Sequence, residues 1–484
     1  MTLRLLPSWR GELLVISRAS KGWDRWEPSA LAEGSNASAL RSKLASDYAL
    51  QRWPPHPPGR LCEDNFVPRE PISAPPGKAA RAPFSEGPVA IISRRAADRL
   101  RAGHVWVYRS DIEHLVEMDA GLLAVADHRG FPLGTALWSP SSQIALRLLT
   151  TDPHLTRLSW MSLFHQRLRQ AIQLRTGMLD EGTDACRLVF SEADQLPGLI
   201  VDRYGDLILF EILAKALDRG DIREAIVDVL RSELAPLTIV ERSDARIREL
   251  EQLSEPVDGP LYSAEPIAQL TTIFHLNGLA FHYDANAGQK TGAFLDQRLN
   301  YAVAARHAHG EALDVCTYQG GFALHLARSC TRVTGVDASR AALEVAEENL
   351  EVNRHRIQAP VEWIEANAFD LLRDWSTAGT TFDTVVLDPP AFAKSKRAVP
   401  GALRGYKELN LRALKMLRPG GTLVTCSCSH HVSWDEFHGV VADAAGDAQR
   451  RVRLLERREA APDHPVVLNI PETEYLKCLI LRVD

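Results

Sequence analysis

The sequence predicts a multidomain protein: a small β-barrel and a compact α+β unit precede a C-terminal doubly wound α/β domain. From about residue 312, strands and helices alternate regularly, which is typical of a parallel sheet covered by helices on both faces. Between residues 88 and 150, short apolar runs separated by glycine turns indicate a small barrel. The first 85 residues hold 11 of the 28 prolines, and this density opposes regular structure.

Composition narrows the class of protein. A chain of 484 residues is long enough for about two to four domains. The net charge of −6 gives no global basic field, so any nucleic-acid contact must come from a local patch. Seven scattered cysteines without metal-ligand spacing suit a reducing compartment, so we expect a cytoplasmic protein without a metal site. The sequence has neither an apolar run of about 18 residues nor a clean signal peptide, so no membrane contact is expected.

We expect residues 1–85 to be a disordered, low-order extension with some helical content near residues 38–53. Basic residues modestly exceed acidic ones in this segment, which would suit a transit peptide or a basic arm. The acidic residues Glu12, Asp24 and Glu27 argue against a transit peptide. The favoured interpretation is that the extension is dispensable for the chemistry.

Residues 86–152 are assigned to the barrel. Cationic and aromatic side chains are interleaved after its first strand, a composition that suits contact with the backbone and bases of RNA. A solvated charged helix beside core aromatics explains the same pattern. The candidate RNA-binding residues here are Arg94, Arg95, Arg99, Arg101 and Trp106.

Residues 153–275 are assigned to the α+β unit. Its first element is a helix over 152–177, and turns at 197–198 and 205–206 separate three strands. A helix near 219–233 and a strand at 237–241 complete it, and a charged connector follows at 241–253. Asn277-Gly278 predicts the turn of a hairpin over 272–284, where the domain of residues 276–484 begins.

The stretch FDTVVLDPPAFAKSK, residues 382–396, predicts a buried parallel strand that ends at Asp388. Pro389 and Pro390 cannot extend a central strand, so the chain must turn there. Ligands of open α/β sheets bind at this end of the strands. Asp388 is therefore expected at the mouth of a site, although a strand that merely ends in Asp-Pro explains the residues equally well.

The stretch ALDVCTYQGGFALHLA, residues 312–327, predicts a strand, a turn with Gly320-Gly321 and a helix. Paired glycines let a ligand approach the backbone at a helix N-terminus. Asp337 ends the next strand, where a carboxylate bridges ribose hydroxyls or caps the following helix. Asn367 follows the third strand, where its amide would contact an adenine ring.

The stretch GGTLVTCSCSHH, residues 420–431, predicts a strand that delivers two thiols to the edge that holds Asp388. An isolated cysteine is more often a small buried hydrophobe, but this position favours a nucleophile. A thiol with an ordinary pKa near 8.5 needs a local positive charge at neutral pH. The candidate cations are Lys394, Lys396 and Arg404.

Several motifs together resemble the RlmI-type family of ribosomal RNA large-subunit methyltransferases, from about residue 89 to the end. The motifs are QKTGAFLDQRLN (289–300), DVCTYQGGF, LDPPAFAKSK, ALRGYKELNLRALKML (402–417), TCSCS and PETEYLK (471–477). The resemblance implies a Rossmann-like class I methyltransferase domain that uses S-adenosylmethionine to make 5-methylcytosine in 23S rRNA. It also implies an N-terminal PUA RNA-binding domain and a central α/β domain, and it leaves a homodimer open.

The resemblance also assigns site residues. Cys428 matches the family's single catalytic cysteine by its position from the strand start, with Asp388 as its catalytic partner. Expected cofactor-binding residues are Asp314, Tyr318, Gly320, Gly321, Asp337, Asn367, Asp388, Phe294 and Gln297, and Lys394 and Lys396 are expected to bind RNA. Lys290, Phe294, Asp296 and Arg298 are expected to close the cofactor site or to order the RNA. The chain departs from the family pattern at Tyr301, at Asn367 and in having both Cys426 and Cys428.

The chemistry implied is thiolate addition at cytosine C6, which makes C5 nucleophilic toward the sulfonium methyl group; loss of the C5 proton then frees the enzyme. Asp388 would hydrogen-bond N3 and the exocyclic amine of an unstacked base. Two alternatives stay open. One is methylation of a guanine nitrogen, since relatives with a similar DPP segment act without a cysteine. The other is a non-catalytic RNA-binding assembly factor.

Overall fold

The computed structural model describes residues 87–242, 244–256, 258–286 and 293–484, and the backbone of three strands near the N-terminus. Those strands are β1 Leu3–Pro7, β2 Leu13–Ala19 and β3 Gly22–Arg25, in an antiparallel sheet in chain order. The remainder of the predicted extension, its expected helix near residues 38–53, and Lys290 lie outside the described residues. Residues 79–484 form one compact unit.

A six-stranded barrel forms the first domain of this unit. Its elements are β4 Val89–Ile92, α1 Arg94–Arg101, β5 Trp106–Tyr108, β6 Ile112–His114, β7 Gly121–Asp127, β8 Pro132–Trp138 and β9 Ile144–Thr150. The strand order is β5-β9-β8-β7-β4-β6. Helix α1 begins where the Ser93 hydroxyl accepts a 3.2 Å hydrogen bond from the Ala96 amide. Its buried face packs Ala97 and Leu100 into the barrel core, as expected for one helical segment on a small barrel.

The central α+β domain follows. Its elements are α2 Arg157–Thr176, β10 Ala185–Phe190, β11 Leu199–Tyr204, β12 Leu207–Ile212, α3 Gly220–Leu234, β13 Thr238–Arg242, α4 Ala245–Glu251 and β14 Tyr262–Ser263. The five strands pair in chain order. Helices α2 and α3 bury Phe164 and Ile226 in the core on this sheet. The charged connector contains helix α4, which Asp244 caps by accepting from two backbone amides.

A hairpin of β15 Thr271–Leu276 and β16 Leu279–Asp284 joins the central domain to the last one. Asn277 and Gly278 both have positive φ, +53° and +82°, which the predicted two-residue turn requires. The hairpin is held by side chains rather than by a further strand. Asn353 and Asn349 accept hydrogen bonds from the Ala280 and His282 amides at 2.9 and 2.7 Å. The domain boundary predicted at residues 275 and 276 falls inside β15.

The C-terminal domain is a seven-stranded α/β sheet. Its elements are α5 Arg298–His307, β17 Glu311–Val315, α6 Gly321–Leu326, β18 Arg332–Asp337, α7 Arg340–Val352, β19 Val361–Glu365, α8 Ala368–Ala378, β20 Phe382–Leu387, α9 Val399–Met416, β21 Leu417–Ser427, α10 Trp434–Asp447, β22 Val452–Arg458 and β23 Lys477–Val483. The order is β19-β18-β17-β20-β21-β23-β22, and only β23 runs antiparallel to its neighbours. The predicted doubly wound sheet is confirmed.

The central strands of this sheet are buried on both faces because helices cover both. Ala312 and Val386 belong to the core on one side, and Leu313 and Val385 belong to the core on the other. Strand order reverses between β17 and β20, and such a switch point opens a crevice at the carboxyl ends of the strands. The sheet therefore places a site where Asp388 was expected. In the described part of the chain, no helix has the length and apolar character needed to cross a membrane.

Candidate active site

The loop between β17 and α6 has an unusual backbone. Cys316, Tyr318 and Gly320 all have positive φ, at +64°, +52° and +84°. The left-handed conformation costs a non-glycine residue about 1 kcal/mol or more, so a loop that uses it repeatedly is held by its surroundings. Gly321 is required for a different reason, because a Cβ there would lie 2.6 Å from the Tyr301 ring. Strained backbone of this kind is concentrated at ligand sites.

A pocket opens beside this loop at the switch point of the sheet. Its lining includes Phe294, Tyr301, Thr317, Tyr318, Gly321 and Asp388. The Phe294 and Tyr318 rings meet edge to face, with centroids 5.2 Å apart. Four residues expected to bind the cofactor, Phe294, Tyr318, Gly321 and Asp388, are thus brought to one cavity. Tyr301, where the family pattern differs, forms its wall by packing 4.7 Å from the Phe322 ring.

Asp314 tests whether the pocket fits the cofactor that the resemblance implies. Its Oδ2 accepts hydrogen bonds from the Thr317 hydroxyl at 2.6 Å and the Ala323 amide at 2.9 Å. Its Oδ1 is buried and has no partner among the described residues. Burial raises the pKa of this carboxyl to about 7. A buried oxygen without a donor is costly, and the cationic amino group of S-adenosylmethionine would satisfy it.

Asp337 and Asn367 lie at the ends of β18 and β19. The Asp337 carboxylate accepts from the amides of Tyr318 and Ser339, both at 2.9 Å, so it fixes the strained loop. The cap of α7 is Ser339 rather than Asp337. Asn367 caps α8 by accepting from the Phe369 amide at 3.0 Å. Their contacts with ribose and adenine stay predictions.

Asp388 follows directly after β20, and its amide donates to the Val315 carbonyl at 3.2 Å. The Gln297 amide donates to Asp388 Oδ1 at 3.1 Å. Burial, followed by the charges of Asp296 and Asp314, raises the pKa of Asp388 to about 8. The group is therefore a neutral acid at pH 7. Gln297 thus contacts the proposed catalytic carboxyl, and its expected contact with the cofactor stays a prediction.

Cys428 lies beside Asp388 because β20 and β21 are parallel neighbours, with Leu387 opposite Thr425. The Cys428 sulfur is 3.7 Å from the Pro389 carbonyl oxygen. Cys426 differs from it, since it is fully buried in the core and faces Cys478 across the sheet. The geometry favours Cys428 as the nucleophile, because Cys428 is only partly buried and lies past the strand end, whereas Cys426 is part of the core.

A hydroxyl network holds the loop around Cys428. The Tyr406 hydroxyl on α9 lies 2.9 Å from the Ser427 hydroxyl and 2.9 Å from the Ser429 hydroxyl. The Ser429 hydroxyl also accepts from the Ala393 amide at 3.1 Å, in the loop after the two prolines. The serines on either side of the cysteine are therefore tied to one buried tyrosine. This relationship links two of the family motifs, and the sequence alone did not reveal it.

The electrostatics of the thiol differ from the expectation. Burial, then the charges of Asp388 and Asp296, raise the pKa of Cys428 to about 12, and Lys477 lowers it. Lys477 is buried at the start of β23 and donates to the Tyr475 carbonyl at 2.9 Å. Sequence reasoning had proposed Lys394, Lys396 and Arg404 for this role. It missed Lys477 because only the pairing of β23 with β21 brings that residue to the thiol.

A groove of about 660 Å³ lies beside the thiol loop, between the barrel and the C-terminal domain. Trp106 and Tyr108 line it from the barrel, and Lys396, His430 and Lys477 line it from the other side. Its volume lies within the range of about 300–1,000 Å³ that is typical of ligand sites. Two of the predicted RNA-binding residues, Trp106 and Lys396, are therefore brought together here. Lys394 is exposed two residues earlier in the same loop.

The predicted arginines of the barrel are largely engaged within it. Arg95 and Arg99 bind the buried Asp111 at 2.8 and 3.2 Å. Arg101 binds Asp127 at 2.5 Å. Arg94 lies 3.7 Å from Asp98 and is 78% exposed. Arg94 and Arg95 remain accessible to a phosphate backbone, whereas Arg99 mainly braces the barrel and lies over the Tyr108 ring.

Arg298 is expected to close the cofactor site or to order the RNA, and that role stays a prediction. It is buried and forms an ion pair with the buried Asp463. Asp463 also accepts from the Arg187 amide of the central domain at 2.9 Å. The pair therefore joins two domains behind the site. This ion pair could not be predicted from the sequence because its two partners are 165 residues apart.

Comparisons with known proteins agree with this geometry. Residues 248–482 match the model of the S-adenosylmethionine-dependent methyltransferase family, and residues 90–151 match that of a PUA-like domain. The chain is 38% identical over 390 residues to the ribosomal RNA large subunit methyltransferase I of Shewanella denitrificans, covering 79% of this chain and 96% of that protein. It is 36% identical over 406 residues to the protein of the same name from Salmonella typhi, covering 83% and 98%.

Solved structures share the fold. A methyltransferase complexed with SAH superposes with a TM-score of 0.69 at 20% identity, over 81% of this chain and 99% of that one. A SAM-dependent methyltransferase from Streptococcus mutans gives the same score and coverage at 21% identity. The barrel is thus a PUA-like domain, and the C-terminal sheet is the catalytic domain that takes S-adenosylmethionine. The chain is an S-adenosylmethionine-dependent rRNA methyltransferase and belongs to the ribosomal RNA large subunit methyltransferase I family.

Proposed function

We propose that the enzyme makes 5-methylcytosine in 23S rRNA through a covalent bond between Cys428 and C6 of the base. The observation that carries the proposal is the placement of one thiol and one neutral carboxyl at adjacent strand ends, with the Cys428 sulfur 3.7 Å from the carbonyl oxygen of the residue after Asp388. Methylation of a guanine nitrogen needs no thiol, because that nitrogen is already nucleophilic. A thiol beside the acid favours a carbon acceptor.

The neutral state of Asp388 suits this chemistry. Cytosine N3 accepts a hydrogen bond and the exocyclic amine donates one, so a protonated carboxyl can satisfy both. Donation to N3 withdraws electrons from the ring and makes C6 more open to thiolate attack. Because burial raises the pKa of Asp388 to about 8, the proton is present at pH 7.

Cys428 supplies the nucleophile and must lose its proton to act. Its pKa of about 12 makes the thiolate a minor species in the free enzyme. Lys477 is the nearby cation that favours the thiolate; it is buried and donates a 2.9 Å hydrogen bond to the Tyr475 carbonyl. The protonated state of Asp388 also helps, because a neutral carboxyl does not oppose ionisation of the thiol as its carboxylate would.

S-adenosylmethionine supplies an electrophilic methyl group when it is bound. The unpaired Oδ1 of Asp314 would hold its amino group, and the Phe294 and Tyr318 rings would enclose it. Gly321, at the start of α6, lets the Tyr301 ring pack against the loop and complete the pocket wall.

The groove beside Cys428 is proposed to receive the RNA. Trp106 and Tyr108 offer stacking faces for nucleotides that flank an extruded base, while Lys396 offers a charge to phosphate.

We place the enzyme in the cytoplasm, because its substrate, the large-subunit rRNA, is made and assembled in the bacterial cytoplasm.

Nucleoside mass spectrometry of treated rRNA tests the proposal. We expect the wild type to make 5-methylcytidine and Cys428→Ala to make none while still binding S-adenosylmethionine. Cys426→Ala is the matched control, since it removes the same atom two residues earlier, from a side chain that is buried in the core. It should retain most activity. Full activity of Cys428→Ala, or methylguanosine as the product, would refute the proposed chemistry.

A further inference from the structure

Asp296 carries a buried oxygen that the reaction described so far does not use. The residue lies in a short 3-10 turn, Leu295–Gln297, just before α5. Its Oδ2 accepts a 2.6 Å hydrogen bond from the Tyr475 hydroxyl. Its Oδ1 is buried and has no hydrogen-bond partner among the described residues. An unsatisfied buried carboxylate oxygen is costly, so its retention calls for a role.

The neighbours of Asp296 connect it to both of the proposed catalytic groups. On one side, the next residue, Gln297, donates to Asp388 at 3.1 Å. On the other side, Tyr475 leads into β23, where Lys477 pairs with Ser427, the residue before Cys428. The charge of Asp296 accordingly acts on both groups, raising the pKa of Asp388 and of Cys428.

The proposed reaction needs a base at this point. After the methyl group reaches C5, that carbon carries both a methyl group and a hydrogen, and the ring is still bonded to sulfur. The adduct can break down only if the C5 proton is removed. Asp388 is engaged on the N3 edge of the ring as a proton donor, and Lys477 has no lone pair while it is charged.

We propose that Asp296 Oδ1 is the general base that removes the C5 proton. As the C5–H bond breaks, its electron pair forms the C5=C6 double bond and the C6–S bond breaks with it, so that the C6–S pair leaves with Cys428 as thiolate. The proton resides on Asp296, where the Tyr475 hydroxyl orients the carboxyl through its other oxygen. The proposal rests on the function proposed above and adds the residue that completes it.

Trapping of the covalent complex tests this role. Asp296→Asn should still attack C6 and transfer one methyl group, but it should release product at least about 100-fold more slowly, which is the usual range for a lost general base. We expect a complex of enzyme and labelled, methylated RNA that survives denaturing electrophoresis. Mass spectrometry should locate the bond on Cys428. Wild-type enzyme should show little of this complex with the same RNA.

The controls separate a catalytic role from a structural one. Asp296→Glu keeps a carboxylate and should restore part of the release rate. Asp443→Asn, an exposed substitution on α10, should behave as the wild type. Release of product by Asp296→Asn at the wild-type rate would overturn the proposal. If Asp296→Asn fails to bind S-adenosylmethionine because it misfolds, the Tyr475→Phe variant is used to test the role of Asp296 instead. Slower product release with a detectable adduct in that variant supports the role, and unchanged product release overturns it.

Failure of the proposed function gives a different result. RNA with 5-fluorocytosine at the target has no C5 proton to lose, so wild-type enzyme should be trapped on it through Cys428. If the wild type is not trapped, the covalent mechanism itself is wrong. If the wild type is trapped and Asp296→Asn releases ordinary product normally, only the assignment of Asp296 is wrong.

Discussion

The side-chain nitrogen of Gln297 donates a 3.1 Å hydrogen bond to Asp388 Oδ1. The side-chain oxygen of Gln297 accepts a 2.7 Å hydrogen bond from the side-chain nitrogen of Asn300. Both residues of this relay, Gln297 and Asn300, are buried. The relay engages one oxygen of the catalytic carboxyl and fixes its plane. Orientation of this kind matters because a donor must meet the base edge within hydrogen-bond distance.

Replacement of Gln297 should therefore slow the reaction without emptying the cofactor pocket. We expect Gln297→Ala to lower single-turnover methylation by about 10- to 100-fold, the equivalent of losing one buried hydrogen bond to the reacting group. Calorimetry should give an unchanged affinity for S-adenosylmethionine. Gln173→Ala, an exposed glutamine on α2, is the control. A wild-type rate in Gln297→Ala would mean that Asp388 needs no positioning.

The pH dependence follows from two raised pKa values. The active free enzyme carries neutral Asp388, with a pKa of about 8, and ionised Cys428, with a pKa of about 12. Below pH 8 the thiolate fraction rises tenfold per pH unit while Asp388 stays protonated, so kcat/KM rises. Above pH 8 the gain in thiolate is cancelled by the loss of the Asp388 proton, so kcat/KM levels off. Initial rates at subsaturating RNA check this profile.

Asp388→Asn provides the control for that profile. An amide does not titrate, so the break near pH 8 should disappear and the remaining, weaker activity should continue to rise with pH. The substitution should also stabilise the fold at high pH. Because the folded-state pKa is raised from 3.8 to about 8, the unfolded chain ionises at this position while the folded protein keeps the proton, so wild-type stability falls as the pH rises from about 4 to 8. The Tm difference between variant and wild type should therefore be larger at pH 8 than at pH 5; an equal difference would contradict the assignment.

Tyr406 should act as a positioning residue for the thiol. Tyr406→Phe removes the hydroxyl that lies 2.9 Å from both Ser427 and Ser429. We expect the rate of adduct formation to fall about fivefold, because one hydrogen bond is worth about 1 kcal/mol. Ser427→Ala and the double variant complete a double-mutant cycle measured by trapping on 5-fluorocytosine RNA. Strictly additive effects would show that the hydroxyls do not act together.

The sequence predicted the sheet edge of the candidate site because the relevant pattern is local. Buried parallel strands read as apolar runs, and the residues that end two such runs meet at one sheet edge. The positions of Asp388 and of the segment with Cys426 and Cys428 follow from that rule, whereas the choice of Cys428 rests on the family resemblance. The turn at Asn277-Gly278 follows from the conformational preferences of two adjacent residues. These predictions needed no knowledge of distant contacts.

The contacts that the sequence did not predict depend on pairings between distant residues. Gln297 reaches Asp388 across 91 positions, and Arg298 reaches Asp463 across 165. The arginines of α1 looked free because the acidic partners, Asp111 and Asp127, are separated from them in the sequence. Composition shows that such charges exist, but only tertiary packing decides which of them meet.

The buried pair of Arg298 and Asp463 should matter for stability rather than for chemistry. Asp463→Asn would leave the Arg298 charge without its buried partner, at a cost of about 3–5 kcal/mol. The contacts of Asp463 with His464 and Arg298 hold its pKa well below the usual range. Its stabilisation is therefore complete above pH 4 and is lost as the pH falls below that value. Denaturant unfolding at pH 7 should show the loss, and Asp443→Asn should not.

The side chains that line the groove between the barrel and the catalytic domain lead to two separate predictions for RNA affinity. Trp106→Ala removes a stacking face and should weaken binding of the target RNA by about 1–3 kcal/mol, with little change in salt dependence. Lys396→Ala removes a phosphate contact, so it should lower the slope of log K against log salt by about one. Lys415→Ala, exposed in the last turn of α9, is the charge-matched control. Filter binding at several salt concentrations separates the cases. An unchanged salt slope in Lys396→Ala would place the RNA backbone elsewhere, and unchanged affinity in Trp106→Ala would mean that the flanking nucleotides do not stack in this groove.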